Sequence, residues 1–342
     1  MATTLSEAYR DTPLQLKHII PLDFDSIHYL PESHVWTESV DLLSVDESDV
    51  PIIDLHAPDA VELVGNACRK WGMFQVINHG VPRSLLGDAE SHVRRLFGLP
   101  AHRKLQALRS PGGATGYGVA RISPFFSKLM WHEGFTIMGS SLEHAKLLWP
   151  QDYEEFCSAM DNYQKQMKSL AYKILVLILK SLEAKDEKTL ISTASFQQSE
   201  GALQLNSYPC CPNHNQAIGL APHTDSLLLT ILHQNDTKGL QVLRENTGWI
   251  TVPPVSEALV VNIGDLLNIV SNGQFPTVYH RVVPNETRHR FSMAYFYGPP
   301  VDSTVAPLSN LGSPRYRSVT VKEYLSIKNK HLDKAIPLLK TG

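Results

Sequence analysis

Apolar residues between Asp59 and Trp71 recur at helical spacing, at Leu63, Val64, Ala67, Cys68 and Trp71, and Gly72 stands where such a helix would stop in a left-handed turn. Met73 to Ile77 then reads as a short strand. The pattern predicts a second helix from Ser84 to Phe97, with Leu85, Leu86, Ala89, Val93, Leu96 and Phe97 on one side and Pro100 closing it. A third, longer helix is expected from about Asp152 to Leu182, where Met167, Leu170, Ala171, Ile174, Leu177 and Ile178 form a stripe broad enough to pack on a sheet. Residues 1–50 show few periodic apolar positions and hold Pro13, Pro21 and Pro31, with Pro51 following, so they predict an extended arm lying on the main body.

From about Gly201 the texture changes to short runs rich in Val, Ile, Leu and Tyr, separated by Gly, Pro, Asn and Asp. That is the pattern of an all-β sandwich or barrel. The runs are Leu203 to Tyr208, Gly219 to His223, Leu227 to His233, Leu240 to Leu243, Trp249 to Val252, Leu259 to Ile263, Thr277 to Val283 and Arg290 to Tyr297. Gly239 and Gly264-Asp265 read as turns between them. After Pro299-Pro300 the chain is loop-like until Thr320-Val321-Lys322-Glu323, a capping box that predicts a last helix. The expected organisation is a largely helical supporting region over residues 1–200, a β core over 201–300, and a C-terminal loop and helix over 301–342. The fold class is α+β with a mainly β core.

Composition narrows the partners. Lys plus Arg (31) nearly balances Asp plus Glu (34), and no basic run is interleaved with aromatics, so no nucleic-acid partner is expected. The stretch Met1 to Glu7 lacks the apolar run of a secretory signal, and the longest apolar run, Ile174 to Leu179, is too short to span a bilayer. No membrane partner, a cytoplasmic location and a monomer are expected. Four cysteines, Cys68, Cys157, Cys210 and Cys211, have neither disulfide-framework nor zinc-knuckle spacing, so reduced thiols are expected.

The chemistry lies in His223-Thr224-Asp225, in the distant His280, and in Arg290-Phe291-Ser292. Side chains two apart on an extended strand share a face, so His223 and Asp225 can reach one ion while Thr224 faces away. Two imidazoles and one carboxylate form a facial set of metal ligands that leaves open positions, which favours non-haem Fe(II) and O2 chemistry. Zinc would tolerate the same donors, but a simple zinc hydrolase needs a nucleophilic water and a base rather than a fixed clamp for an anion. Arg290 and Ser292 share parity on an apolar strand, and a buried unpaired guanidinium implies an anionic partner. His132-Glu133-Gly134-Phe135 is not the His-Glu-x-x-His of a zincin. The segment around it reads as an amphiphilic lining, with Phe125, Phe126, Met130, Trp131 and Phe135 supplying apolar area and Arg121, Lys128 and His132 supplying positive charge; the alternative is that the aromatics are core and the charges solvated.

These residues resemble those of the plant 2-oxoglutarate- and Fe(II)-dependent dioxygenases, whose fold is a double-stranded β-helix, or jelly roll. The resemblance covers nearly the whole chain: Pro51-Ile52-Ile53-Asp54-Leu55, Trp71 to Val81, and Asn206-x-Tyr208-Pro209-x-Cys211 match its N-terminal strand, its helix-strand signature and its co-substrate strand. By that resemblance His223, Asp225 and His280 would bind iron and be catalytic. Arg290, Ser292 and Tyr208 would bind the distal carboxylate of 2-oxoglutarate, and Asn206 would approach cofactor or substrate. The implied co-substrates are 2-oxoglutarate and O2, with ascorbate as a supporting reductant. Within the family, Ser127 to Ile137 resembles the corresponding segment of the gibberellin 3β-hydroxylases, with His132 where serine is more usual. The implied substrate is a diterpenoid acid, contacted by Arg121, Phe126, Lys128, Trp131 and His132. Two alternatives stay open: the same chemistry at another gibberellin carbon or on a flavonoid or alkaloid, and a non-catalytic hormone-binding protein.

Overall fold

In the computed structural model, which describes residues 4–9, 13–36, 50–182 and 201–341, the sequence periodicities become a helical layer over two sheets. The chain opens with a short helix, α1 (Leu5–Ala8), that the sequence reading missed. Thr4 caps it by accepting from the Glu7 N–H while the Glu7 carboxylate takes the Thr4 N–H, a complete capping box. After β1 (Ile52–Asp54), the first periodic segment forms α2 (Ala60–Lys70). Gly72 ends it with φ 67°, where a side chain would run into the Pro276 carbonyl. Then come β2 (Met73–Ile77), α3 (Arg83–Phe97) and α4 (Ala101–Lys104). β3 (Gly116–Gly118), β4 (Glu133–Met138), α5 (Leu142–Leu148) and the long α6 (Tyr153–Lys180) follow. The boundary expected at residue 200 lies in 183–200, outside the described residues.

All eight expected β runs form strands: β5 (Ala202–Tyr208), β6 (Leu220–His223), β7 (Leu229–Gln234), β8 (Leu240–Arg244), β9 (Gly248–Thr251), β10 (Leu259–Ile263), β11 (His280–Val282) and β12 (Arg290–Tyr297). Gly264-Asp265, read as a turn, instead starts a helix, α7 (Asp265–Val270). Gly264 sits at its N-cap, Asp265 lies favourably in its first turn, and all its residues are buried. The large sheet runs β1-β2-β10-β7-β12-β5-β4-β3, and the second runs β6-β11-β8-β9. Apart from the β8–β9 hairpin, each successive strand from β5 to β12 passes to the opposite sheet, which is the double-stranded β-helix. No helix among the described residues is long and apolar enough to cross a membrane.

Strand alternation sorts the large sheet into two faces. Phe291, Met293, Tyr295 and Tyr297 of β12, with Leu203 and Leu205 of β5, join the core cluster that includes Met167, Leu170 and Ile174 of α6. Arg290, Ser292, Ala294 and Phe296 point the other way, into a cavity between the sheets. The chain ends with a pair of short strands, β13 (Thr304–Val305) and β14 (Val319–Thr320), and the expected last helix, α8 (Val321–His331). Only half of its capping box forms: Thr320 Oγ1 accepts from the Glu323 N–H at 3.1 Å, but the Glu323 carboxylate takes Arg317 at 2.7 Å.

On the helical side of β4, Glu133 is 2% exposed and pairs with Lys104 Nζ at 2.8 Å. Tyr117 and Ser207 also donate to its carboxylate, at 2.5 and 3.1 Å. Burial and Glu133 together push the Tyr117 hydroxyl above its ordinary value, so it stays a donor. Glu133→Ala strands a buried ammonium and is expected to lower the unfolding free energy by about 3 kcal/mol or more. The apolar pair Lys104→Met with Glu133→Leu is expected to lose much less. Urea denaturation of both variants checks this; equal losses would remove the ion pair from the account.

Candidate active site

β6 and β11 pair antiparallel with His223 and His280 as direct cross-strand partners, which brings both imidazoles to one face. Their ring centroids are 4.3 Å apart. Asp225 lies just beyond the end of β6, and its Oδ1 is 3.7 Å from His223 Nε2 and 3.9 Å from His280 Nε2. Asp225 therefore joins the two histidines although the strand stops at His223, while the Thr224 hydroxyl, also at the cavity, accepts from Lys328. Each histidine uses the same local device to fix its tautomer. His223 Nδ1 lies 2.8 Å from the Ala221 carbonyl and His280 Nδ1 lies 3.2 Å from that of Val278, so each Nδ1–H donates backwards and each Nε2 lone pair faces the aspartate.

Burial, then the neighbouring His280, holds His223 down to about 3, so it is a neutral ligand at pH 7. Burial pushes the Asp225 carboxyl up, but His280 and His223, with hydrogen bonds such as Asn262 Nδ2 to Oδ2 at 3.4 Å, outweigh it and leave the group below its ordinary value. Two imidazole nitrogens and a carboxylate form the donor set expected for Fe(II). The three donor atoms lie within 4.8 Å of one another, and no other such cluster occurs among the described residues.

At the same cavity, β12 pairs with β5 so that Arg290 faces Tyr208 and Ser292 faces Asn206. Arg290 is fully buried, with its carbon Cζ 5.1 Å from the Tyr208 ring centre. It donates through Nη2 to Gln234 Oε1 at 2.7 Å and more loosely through Nη1 to Ser292 Oγ at 3.5 Å, while its Nε has no partner. It forms no ion pair among the described residues. Burial lowers its pKa from the ordinary arginine value, the direction expected of a cation lacking a carboxylate partner. Burial also pushes the Tyr208 hydroxyl up to about 12, keeping it a neutral donor. An orphaned guanidinium nitrogen beside two hydroxyl groups is a cradle for a carboxylate, and this fits the distal end of 2-oxoglutarate.

The substrate segment departs from expectation. Arg121 lines the cavity, as do Asn206, Tyr208, the three metal-site residues, Arg290 and Ser292. Phe126, Lys128, Trp131 and His132 do not. Phe126 packs on Trp36, and Lys128 reaches outward to the Glu32 carbonyl at 3.0 Å. Trp131 is 1% exposed, bonded to the Pro209 carbonyl and set edge-on to Phe24. His132 is buried behind Asn206, with its Nε2 3.0 Å from Asn206 Oδ1, and burial holds it down to about 4, so it supplies no charge. The physical reason is that this irregular stretch ahead of β4 is bonded into the body of the protein, the Leu129 N–H donating to the Ser33 carbonyl and the Trp131 N–H to that of Ile218.

Several lining residues escaped the sequence reading. Gln204 shares parity with Asn206 and Tyr208, a signal that was present. Thr136 and Met138 alternate with the core residues Phe135 and Ile137. Leu5 and Tyr9 beside α1, and Lys328, Asn329 and Leu332 at α8, close the cavity from the two ends of the chain, and no local pattern announces them.

Comparison with known proteins gives a consistent picture. Residues 199–299 match the profile of the 2OG-Fe(II) oxygenase superfamily, and residues 50–155 match that of the non-haem dioxygenase in morphine synthesis N-terminal region. Gibberellin 3-beta-dioxygenase 1 of Pisum sativum is 52% identical, over 97% of this chain and 92% of its own length. Gibberellin 3-beta-dioxygenase 1 of Arabidopsis thaliana is 47% identical over 99% of both. Among solved structures, that of JOX2 in complex with 2OG, Fe and JA superposes with a TM-score of 0.80 at 30% identity, covering 93% of this chain and 95% of JOX2.

Proposed function

The chain belongs to the 2OG-Fe(II) oxygenase superfamily, and from that premise we propose that it hydroxylates a precursor gibberellin at the 3β position, coupled to decarboxylation of 2-oxoglutarate to succinate and CO2. The enzyme is an Fe(II)- and 2-oxoglutarate-dependent dioxygenase. The observation that carries the gibberellin assignment is full-length identity of 52% and 47% to two gibberellin 3-beta-dioxygenases. The cavity supports it chemically, because it joins a ligand cluster for iron to apolar walls and a cation that has no carboxylate partner among the described residues.

His223, Asp225 and His280 would hold the iron, and Arg290, Ser292 and Tyr208 the distal carboxylate of the keto acid. When bound, Fe(II) with 2-oxoglutarate and O2 supplies the oxidising power to place a hydroxyl on an unactivated ring carbon. The protein's part is orientation and exclusion of water. Gln234 occupies one arm of the Arg290 fork, so the guanidinium is aimed before the co-substrate arrives. Leu232, Leu240, Val282, Ala294 and Phe296 supply apolar wall around the reacting end. Arg121 would anchor the acid group of the substrate. It is partly buried, donates to the carbonyls of Gly113 and Tyr9 at 3.1 and 3.3 Å, and stacks over the Tyr9 ring. Its anchoring at one end of a rigid diterpenoid would fix which ring carbon reaches the iron.

Arg121→Met is expected to raise the KM for the gibberellin roughly 10- to 100-fold, the value of a charge-assisted hydrogen bond, while the KM for 2-oxoglutarate holds. Steady-state kinetics in each substrate checks this; an unchanged gibberellin KM would remove Arg121 from the site. The function itself is tested by incubating the protein with Fe(II), 2-oxoglutarate, ascorbate and a precursor panel including gibberellins, flavonoids and alkaloids. Mass spectrometry and NMR of the products are expected to give a 3β-hydroxylated gibberellin with equimolar succinate. A hydroxyl on another carbon or another scaffold would reassign the substrate, and tight hormone binding without succinate would make the protein a binder.

A further inference from the structure

Another buried ion pair lies against the segment that carries two of the metal ligands. Lys328 of α8 donates to Asp265 Oδ2 at 2.6 Å and to Thr224 Oγ1 at 2.5 Å, and the Tyr324 hydroxyl, one turn earlier, donates to the same Asp265 oxygen at 2.5 Å. Asp265 is 0% exposed and Lys328 6%. The Asp265 backbone N–H in turn donates to the Asp225 carbonyl at 2.8 Å. The ligand segment is thus gripped twice, at the Thr224 hydroxyl by the Lys328 ammonium and at the Asp225 carbonyl by the backbone N–H of Asp265, the residue whose carboxylate holds that ammonium. Gly264 allows the grip, because a side chain there would collide with the Leu227 carbonyl.

Lys328, Asn329 and Leu332 also line the cavity, so the helix that grips the ligand segment is a wall of the substrate space. We infer that Lys328 is a positioning residue, which acts through the Thr224 hydroxyl to hold Asp225 in ligating position and so joins the seating of α8 to the geometry of the metal centre. The inference rests on reading His223, Asp225 and His280 as the iron ligands. A lysine whose role was to bind the substrate acid would have its ammonium free towards the cavity; here two of its donors are already committed to Asp265 and Thr224. A lysine that merely docked α8 would need Asp265 alone and would be indifferent to Thr224.

The test is a Co(II) titration of the full-length apoprotein with 2-oxoglutarate present, read by visible d–d absorption. Lys328→Met and Thr224→Val are expected to bind Co(II) about tenfold more weakly with an altered band, as for loss of outer partners of metal ligands, while Thr224→Ser keeps the wild-type band and affinity. Thr224→Val leaves the ion pair intact, so it decides the matter even where Lys328→Met does not fold. Wild-type affinity and spectrum in Thr224→Val would overturn the inference. Absence of His223-dependent Co(II) binding in the wild-type protein would instead overturn the ligand reading beneath it.

Discussion

Replacing Asp225 with alanine is expected to remove both succinate formation and hydroxylation, by at least about a thousandfold, because the metal supplies several kcal/mol of the chemistry and each 1.4 kcal/mol is a factor of ten. The loss has a structural origin. Two imidazoles remain, but the negative oxygen facing both Nε2 atoms at 3.7 and 3.9 Å is gone, and with it the charge that balances a divalent ion. Metal content after anaerobic Fe(II) loading is expected to fall in parallel. The fold should survive, since the contacts of the Asp225 main chain to α7 do not involve its side chain. A variant that retains one bound iron and substantial turnover would contradict the ligand assignment.

Arg290→Lys is expected to raise the KM for 2-oxoglutarate roughly 10- to 100-fold, with kcat largely recovered at saturating co-substrate and the gibberellin KM little changed. Lysine keeps the charge but offers a point donor in place of a planar fork. It also releases Gln234, whose Oε1 now aims the guanidinium. Arg290 is 0% exposed, so water does not substitute for the lost geometry. Kinetics varying 2-oxoglutarate at fixed gibberellin, alongside a thermal melt, separates lost affinity from lost folding. An unchanged KM for 2-oxoglutarate in a folded variant would sink the assignment.

The β core was legible because its strands obey local rules. Period-two alternation and turn residues marked β5 to β12, and the parity of Arg290 with Ser292 and of Asn206 with Tyr208 translated directly into cavity-facing positions. The same rule reached Asp225 although its strand had ended. What was not legible depends on partners far along the chain. Glu133 looked like part of a lining loop because its ammonium partner, Lys104, and its hydroxyl donors, Tyr117 and Ser207, come from three separate segments. Trp131 and His132 became packing for the same reason. Arg121 alone of the proposed substrate residues lines the cavity, while Tyr9 and Lys328 reach it from opposite ends of the sequence through tertiary packing that no local period encodes.

The most direct test is a crystal structure of the protein with Mn(II) in place of Fe(II) and with 2-oxoglutarate, the metal being located by anomalous scattering. The expected result is one peak bonded to His223 Nε2, a carboxylate oxygen of Asp225 and His280 Nε2, with the far carboxylate of the keto acid on Arg290. A metal bound elsewhere, or a keto acid whose far carboxylate lies away from Arg290, would contradict it.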